Sequence, residues 1–241
     1  MTPPDAKDRL IVALDVDALD TALTLVERLA GLVNRFKIGS QLFTAAGPAA
    51  VLAVRERGGE VFLDLKYHDI PNTVAGAARE ATRLGVFMFN VHASGGRVMM
   101  RAGAEAASAA AKEFAVRRPL VIAVTVLTSL DRKALGAELG VASSVEGHVL
   151  HLCQLAREAG LDGTVASPNE IRAIRNNLGP GWIIVTPGLR PAGGLVNDQA
   201  RIATPGAAAR AGAHYLVVGR PITAAADPAQ AVHAILAEIS A

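Results

Sequence analysis

The chain has 241 residues, 51% of them hydrophobic, and 24 Lys and Arg against 22 Asp and Glu leave a net charge of +2. That length suits one α/β barrel, which fills about 250 residues as a single domain, so one domain is expected over residues 1–241. With 4% aromatic residues and no basic stripe, the chain lacks the stacking platforms and charge of a nucleic-acid binder, and no polybasic run suits an anionic membrane.

The opening MTPPDAKDRL lacks the apolar segment of a signal peptide. No apolar run reaches the roughly 18 residues of a membrane helix. The one cysteine, Cys153, can form no internal disulfide and belongs to no zinc-type cluster. A cytoplasmic protein without a metal site is the expectation.

In chain order, short apolar runs predict strands at Leu10–Val16, Arg35–Ser40, Glu60–Lys66, Val86–Ala93, Leu120–Leu127, Gly163–Ser167, Trp182–Gly188 and Tyr215–Arg220. Continuous apolar runs of this length suit parallel strands covered on both faces. Helices are predicted between and after them. Ala18–Leu32 carries Leu19, Ala22, Leu23, Val26 and Leu29 at helical period, with Asp17 as its N-cap. Gly47 or Pro48 to Arg57 follows, ended by Gly58-Gly59. Then come Thr73–Leu84, Arg97–Val116, Val145–Ala159, Pro168–Asn176, Pro205–Ala211 and Pro228–Ile239. Pro205 and Pro228 stand where proline starts a helix well. Eight strand–helix units at this length predict a (β/α)8 TIM barrel. No Gly-x-Gly-x-x-Gly follows the first strand, which disfavours a dinucleotide-binding sheet.

In such a barrel the chemistry lies at the carboxyl ends of the strands. Those ends carry Asp15, Lys37, Asp64 and Lys66, with Asp69 beyond, then Thr128-Ser129, Pro187-Gly188-Leu189-Arg190 and Gly219-Arg220. Asp64 and Lys66 are two apart, which on an extended strand puts both on one face. Lys37, from the neighbouring strand, would complete an alternating set of charges. A salt-bridge network serving only stability is the competing reading, but Leu or Ile would serve stability as well. The loops after strands 7 and 8 often bind phosphate in barrels, and they carry Arg190, Gly219 and Arg220. Arg offers phosphate a planar fork of donors. The long stretch Pro191–Thr204, with Gly193-Gly194, would close over a ligand as a lid.

The segment Asp64-Leu65-Lys66-Tyr67-His68-Asp69-Ile70-Pro71-Asn72-Thr73-Val74 resembles the signature of bacterial orotidine 5′-phosphate decarboxylases. Ala13-Leu14-Asp15, Phe36-Lys37-Ile38-Gly39, Val91-His92-Ala93-Ser94-Gly95-Gly96, Leu127-Thr128-Ser129, Thr186-Pro187-Gly188-Leu189-Arg190 and Val217-Val218-Gly219-Arg220-Pro221-Ile222-Thr223 agree with it in order. The resemblance implies a cofactor-free decarboxylation of orotidine 5′-phosphate to uridine 5′-phosphate in pyrimidine biosynthesis. It implies that Lys66 protonates C6, that Asp64 sits by the substrate carboxylate, and that Lys37 pairs with Asp64 and reaches the ribose. It assigns Asp15 to the ribose hydroxyls, Thr128 to the pyrimidine edge, and Arg190, Gln199, Gly219 and Arg220 to the phosphate. Asp69, Ile70 and Thr73 would come from a partner subunit, so that a homodimer shares its sites.

A lone Asp-x-Lys-x-x-Asp is shared with Mg²⁺-dependent sugar-phosphate decarboxylases and synthases, against which the residues around Asp69 argue. A non-catalytic phosphate-binding barrel is the other rival, disfavoured because Lys37, Asp64, Lys66 and Asp69 are all present. The remaining polar residues read more plainly: His92 and His68 as structural, His148 and His151 as a surface helix face, and Cys153 as a buried small residue. Ser94-Gly95-Gly96 lacks the Gly-x-Ser-x-Gly elbow of an acyl-transfer site.

Overall fold

A computed structural model describes residues 5–191 and 203–241. Its elements run α1 (Ala6–Arg9), β1 (Leu10–Ala13), α2 (Leu19–Arg28), β2 (Arg35–Gly39), α3 (Ser40–Ala46), α4 (Pro48–Glu56), β3 (Glu60–Tyr67), α5 (Pro71–Arg83), β4 (Met88–His92) and α6 (Gly96–Glu113). They continue with β5 (Leu120–Val124), α7 (Arg132–Ala137), α8 (Val145–Glu158), β6 (Gly163–Val165), α9 (Ile171–Leu178), β7 (Ile183–Thr186), α10 (Pro205–Ala211), β8 (Tyr215–Val218), α11 (Arg220–Thr223) and α12 (Pro228–Ser240). The strands hydrogen-bond in sequence order and close into a barrel. The (β/α)8 TIM barrel read from the eight apolar runs is the fold.

Most of the strands end sooner than the apolar runs suggest. β1 stops at Ala13 rather than Val16, and β5 at Val124 rather than Leu127. Hydrophobicity marks burial, and burial outlasts the ladder: Leu14 has left β1 yet is fully buried. The N-cap of α2 is Ala18, not Asp17. The Asp17 carboxylate instead accepts a hydrogen bond from Gln41 Nε2. The α10 and α12 starts are as expected, with proline in the first turn and Thr204 and Asp227 accepting from the first free N–H groups. Pro168 opens a short 3₁₀ turn before α9 rather than the helix itself. α1, α3, α7 and α11 were not foreseen; each has seven residues or fewer, too short for a helical period to show.

Contacts divide the chain into two compact units, Met1–Leu65 with Thr186–Ala241, and Lys66–Val185. In the first, Leu10, Ile11, Val12, Phe36, Ile38, Val61, Leu63, Leu216 and Val218 are buried. Parallel registers such as Val12↔Phe36, Leu10↔Leu216 and Gly39↔Asp64 align the strands. In the second, α6 turns Met99, Met100, Gly103, Ala104, Ala107, Ala110 and Ala111 inward, a stripe at helical period. Small residues there let α5 approach closely: a Cβ on Gly103 would lie 3.4 Å from Val74 Cγ1.

β6 and β7 leave no space at Gly163. A Cβ there would lie 2.2 Å from the Ile183 carbonyl oxygen and 2.6 Å from Ile183 Cβ, atoms that cannot withdraw without opening the ladder. Gly163→Ala is therefore expected to destabilise the protein by about 3 kcal/mol, the upper end of the usual overpacking cost. A urea melt checks this; an unchanged midpoint would show that the strand pair yields.

Candidate active site

The first unit assembles a charge array from the carboxyl ends of three strands. Lys37 Nζ lies 2.7 Å from Asp15 Oδ1 and 3.3 Å from Asp64 Oδ2. Adjacent parallel strands in near register dictate this: Asp64 pairs with Gly39, two residues beyond Lys37 on β2. The Leu14 N–H donates to the Lys37 carbonyl at 2.9 Å, carrying β1 past its ladder toward Asp15. Lys37 is only 8% exposed, and a buried ammonium is tolerable when paired. One cation between two carboxylates leaves the array formally negative. Gly39 makes room for it, because a Cβ there would lie 3.0 Å from Lys37 Nζ and 3.2 Å from Asp15 Oδ1.

The expected phosphate residues of this unit border the same array. A Cβ added to Gly219 would lie 3.8 Å from Asp15 Oδ2 and 3.4 Å from Ala13 Cβ. Arg220 follows, exposed, as the first residue of α11. Arg190 lies just past β7, and its N–H donates to the Ala203 carbonyl at 3.3 Å. That bond ties together the two ends of the stretch expected to form a lid. Gln199 lies outside the described residues.

The second unit begins at Lys66, where β3 stops being regular. Its φ is +51°, a left-handed conformation that costs a non-glycine residue about 1–2 kcal/mol. The left-handed residue lies inside β3, which runs on to Tyr67. Its N–H donates to Asn90 Oδ1 at 2.8 Å. Asn90 is fully buried on β4. The sequence reading missed it, and the signal available was one amide in an otherwise apolar run, Met88-Phe89-Asn90-Val91.

Beyond Lys66 the chain carries the rest of the signature. The Tyr67 ring lies 6.1 Å from Phe89, and burial pushes its hydroxyl up to about 12. The His68 ring stacks on His92 with centroids 5.2 Å apart. Ser94 Oγ lies 2.7 Å from His92 Nδ1. Asp69 Oδ1 accepts from the N–H of Ile70 at 2.6 Å, shaping the turn into α5. Asp69, Ile70 and Thr73 are all exposed, Ile70 to 67%. His68, Asp69, Ile70, Pro71, Ser94 and Gly95 line one open concavity. Thr128 is exposed in the turn after β5, which the Leu130 N–H closes onto the Leu127 carbonyl.

Residues read as structural behave so. Cys153 is fully buried, its Sγ 3.6 Å from Thr164 Oγ1, and burial pushes the thiol up to about 11, which keeps it unreactive. His148 and His151 stack on each other along α8. Among the described residues no three His, Cys, Asp or Glu side chains form a metal-holding group, and no helix is long and apolar enough to cross a membrane.

Known proteins resemble this chain in sequence and fold. The family model described as Orotidine 5′-phosphate decarboxylase / HUMPS family matches residues 8–235. An orotidine 5′-phosphate decarboxylase of Moorella thermoacetica is 60% identical over 234 residues, covering 97% of this chain and 93% of that protein. The crystal structure of orotidine 5′-phosphate decarboxylase from Lactobacillus acidophilus superposes with a TM-score of 0.86 at 36% identity, covering 97% of this chain and all of that one. An uncharacterized conserved protein from Geobacillus kaustophilus gives 0.84 at 38% identity, over 95% of this chain and 99% of that one. With the barrel, the strand-end charges and a match from residue 8 to residue 235 in agreement, the chain belongs to the Orotidine 5′-phosphate decarboxylase / HUMPS family.

Proposed function

We propose that this protein is a carboxy-lyase that converts orotidine 5′-phosphate to uridine 5′-phosphate, using its own residues alone and Lys66 as the proton donor. The observation that carries the reading is the Asp15–Lys37–Asp64 array at the strand ends, followed two residues later by Lys66 in a chain of this family. The C6–carboxylate bond breaks, CO₂ leaves, and its electron pair stays on C6 as a vinylic carbanion that no ring carbonyl delocalises. The Lys66 ammonium stabilises that charge and then gives C6 its proton, to be reprotonated from water. Asp64 faces the substrate carboxylate, so its repulsion is relieved as neutral CO₂ departs. Lys37 orients Asp64 and reaches the ribose, whose hydroxyls donate to Asp15. Thr128 reads the pyrimidine edge.

The phosphate is assigned to Arg190, Gln199, Arg220 and the backbone of Gly219, and its remote binding energy serves the reacting end. Gly219 beside Asp15 supports this, since a 5′-phosphate must lie near the ribose. Arg220→Ala is expected to weaken phosphorylated ligands about 10- to 150-fold, the worth of a charged hydrogen bond, and to leave the phosphate-free nucleoside almost unaffected. Inhibition constants for uridine 5′-phosphate and uridine check it; equal losses for both would move Arg220 away from the phosphate.

The active unit is proposed to be a homodimer that shares its sites, within a barrel that is one functional domain. α5 and α6 pack on each other and each starts with an exposed apolar residue, Ile70 before α5 at 67% and Val98 in the first turn of α6 at 73%. Exposed apolar groups beside exposed polar signature residues suit a covering subunit. The test of the whole reading is loss of the ultraviolet absorbance of added orotidine 5′-phosphate. Well-folded protein that leaves the absorbance unchanged would overturn it.

A further inference from the structure

Asn90 and His92 are two apart on β4 and therefore share one face, and both engage the turn that begins at Lys66. Asn90 Oδ1 accepts the Lys66 N–H at 2.8 Å. His92 stacks under His68 at 5.2 Å with the rings 22° from parallel, and Ser94 Oγ holds His92 Nδ1 at 2.7 Å. The turn is not a conformation the chain adopts by default, because Lys66 sits at φ +51° and such a residue persists only where its surroundings over-determine it. A fully buried amide is also a costly choice for a strand that could be apolar throughout, unless it is needed as a hydrogen-bonding group.

We infer that Asn90 and His92 are positioning residues: β4 clamps the Lys66–Asp69 turn at both ends, setting where the Lys66 ammonium and the Asp69 carboxylate stand. Asn90 fixes the backbone of Lys66 directly. His92 fixes His68, the residue before Asp69. The clamp also holds the other way, since His68 fits against Gly95, where a Cβ would lie 3.1 Å from His68 Cδ2 and 2.8 Å from Met99 Sδ. The charge state of His92 suits the role. Burial first, then the nearby His68 and Lys66, hold its imidazole below the ordinary range, so at neutral pH it adds no second cation beside Lys66.

The inference rests on the decarboxylase reading, and its test separates the two. Steady-state kinetics with orotidine 5′-phosphate would be run on the wild type, Asn90→Leu, Asn90→Asp, His92→Ala and His92→Phe. Misplacement of a reacting group by about 1 Å can cost about 100-fold. Asn90→Leu, which keeps the branched shape and loses the acceptor, and His92→Ala, which loses the stack, are each expected to lower kcat about 10- to 100-fold while KM changes less than about twofold. Asn90→Asp keeps an acceptor and His92→Phe keeps a ring, so each should recover most of the lost kcat. Folded Asn90→Leu and His92→Ala proteins with wild-type kcat would overturn the clamp. So would a loss that falls on KM, or one that the acceptor and ring variants do not restore. If Asn90→Leu fails to fold, the Asn90→Asp kinetics and the His92 pair decide by the same criteria. An inactive wild type would sink the decarboxylase reading, and the clamp with it; an active wild type with indifferent variants sinks the clamp alone.

Discussion

Lys66→Ala is expected to lower turnover by at least about 100-fold and to leave the barrel folded. General-acid catalysis by a positioned group contributes about 10²–10⁴-fold, and Lys66 is proposed to act twice, as the charge beside the C6 carbanion and as its proton source. A preorganised charge contributes most where bound substrate excludes water, because it needs no reorganisation there. Folding should survive because the loss is local. The contacts of Lys37 with Asp15 and Asp64, which would be costly to break, are made by Lys37 itself and are not removed by the substitution. The N–H of residue 66 still donates to Asn90 in the variant, since that bond is made by the backbone. Single-turnover decay of orotidine 5′-phosphate absorbance measures the effect, with circular dichroism and a urea melt reporting the fold. Activity above about a hundredth of wild type in folded protein would be incompatible with Lys66 as the proton donor.

What the sequence disclosed, and what it hid, divides along physical lines. Eight apolar runs disclosed the barrel, because parallel strands covered on both faces must be apolar throughout. The ends of those runs disclosed the charges that the strands bring together, because charge at the end of a buried strand needs a reason. Lys37, Asp64 and Asp15 meet as the register of neighbouring strands requires. The left-handed turn at Lys66 was hidden: nothing in Leu65-Lys66-Tyr67 marks a φ of +51°, since lysine has no preference for it and no glycine announces it. Asn90 was hidden for a related reason. Its role is to satisfy another residue's backbone, and a backbone donor has no signature in sequence. The short helices α3, α7 and α11 were hidden because two turns or fewer show no period. His92 was visible but read as structural, and its ring contact with His68 appears only when the β3 and β4 ends are brought side by side.

Mixing two inactive variants should restore activity if Asp69 serves the neighbouring subunit. Asp69 lies beyond the end of β3, is exposed, and is turned by its own bond to the Ile70 N–H just before Pro71 begins α5. Proline's fixed φ limits how the chain can fold back from there. A carboxylate presented this way, next to an Ile that is 67% exposed, is accessible to a neighbour. In a two-fold dimer the same surface meets itself, so each subunit would complete the other's site. Take Lys66→Ala and Asp69→Ala, each inactive alone, and mix them in equal amounts under conditions that exchange subunits. If Asp69 acts in trans, a mixed dimer has one site with both lesions and one with neither. Random exchange makes about half of the dimers mixed, so about a quarter of the wild-type sites should return. If Asp69 acts in cis, every site in every dimer keeps one lesion and nothing returns. Exchange would be demonstrated separately by energy transfer between labelled subunits. Demonstrated exchange with no recovered turnover would assign Asp69 to its own barrel.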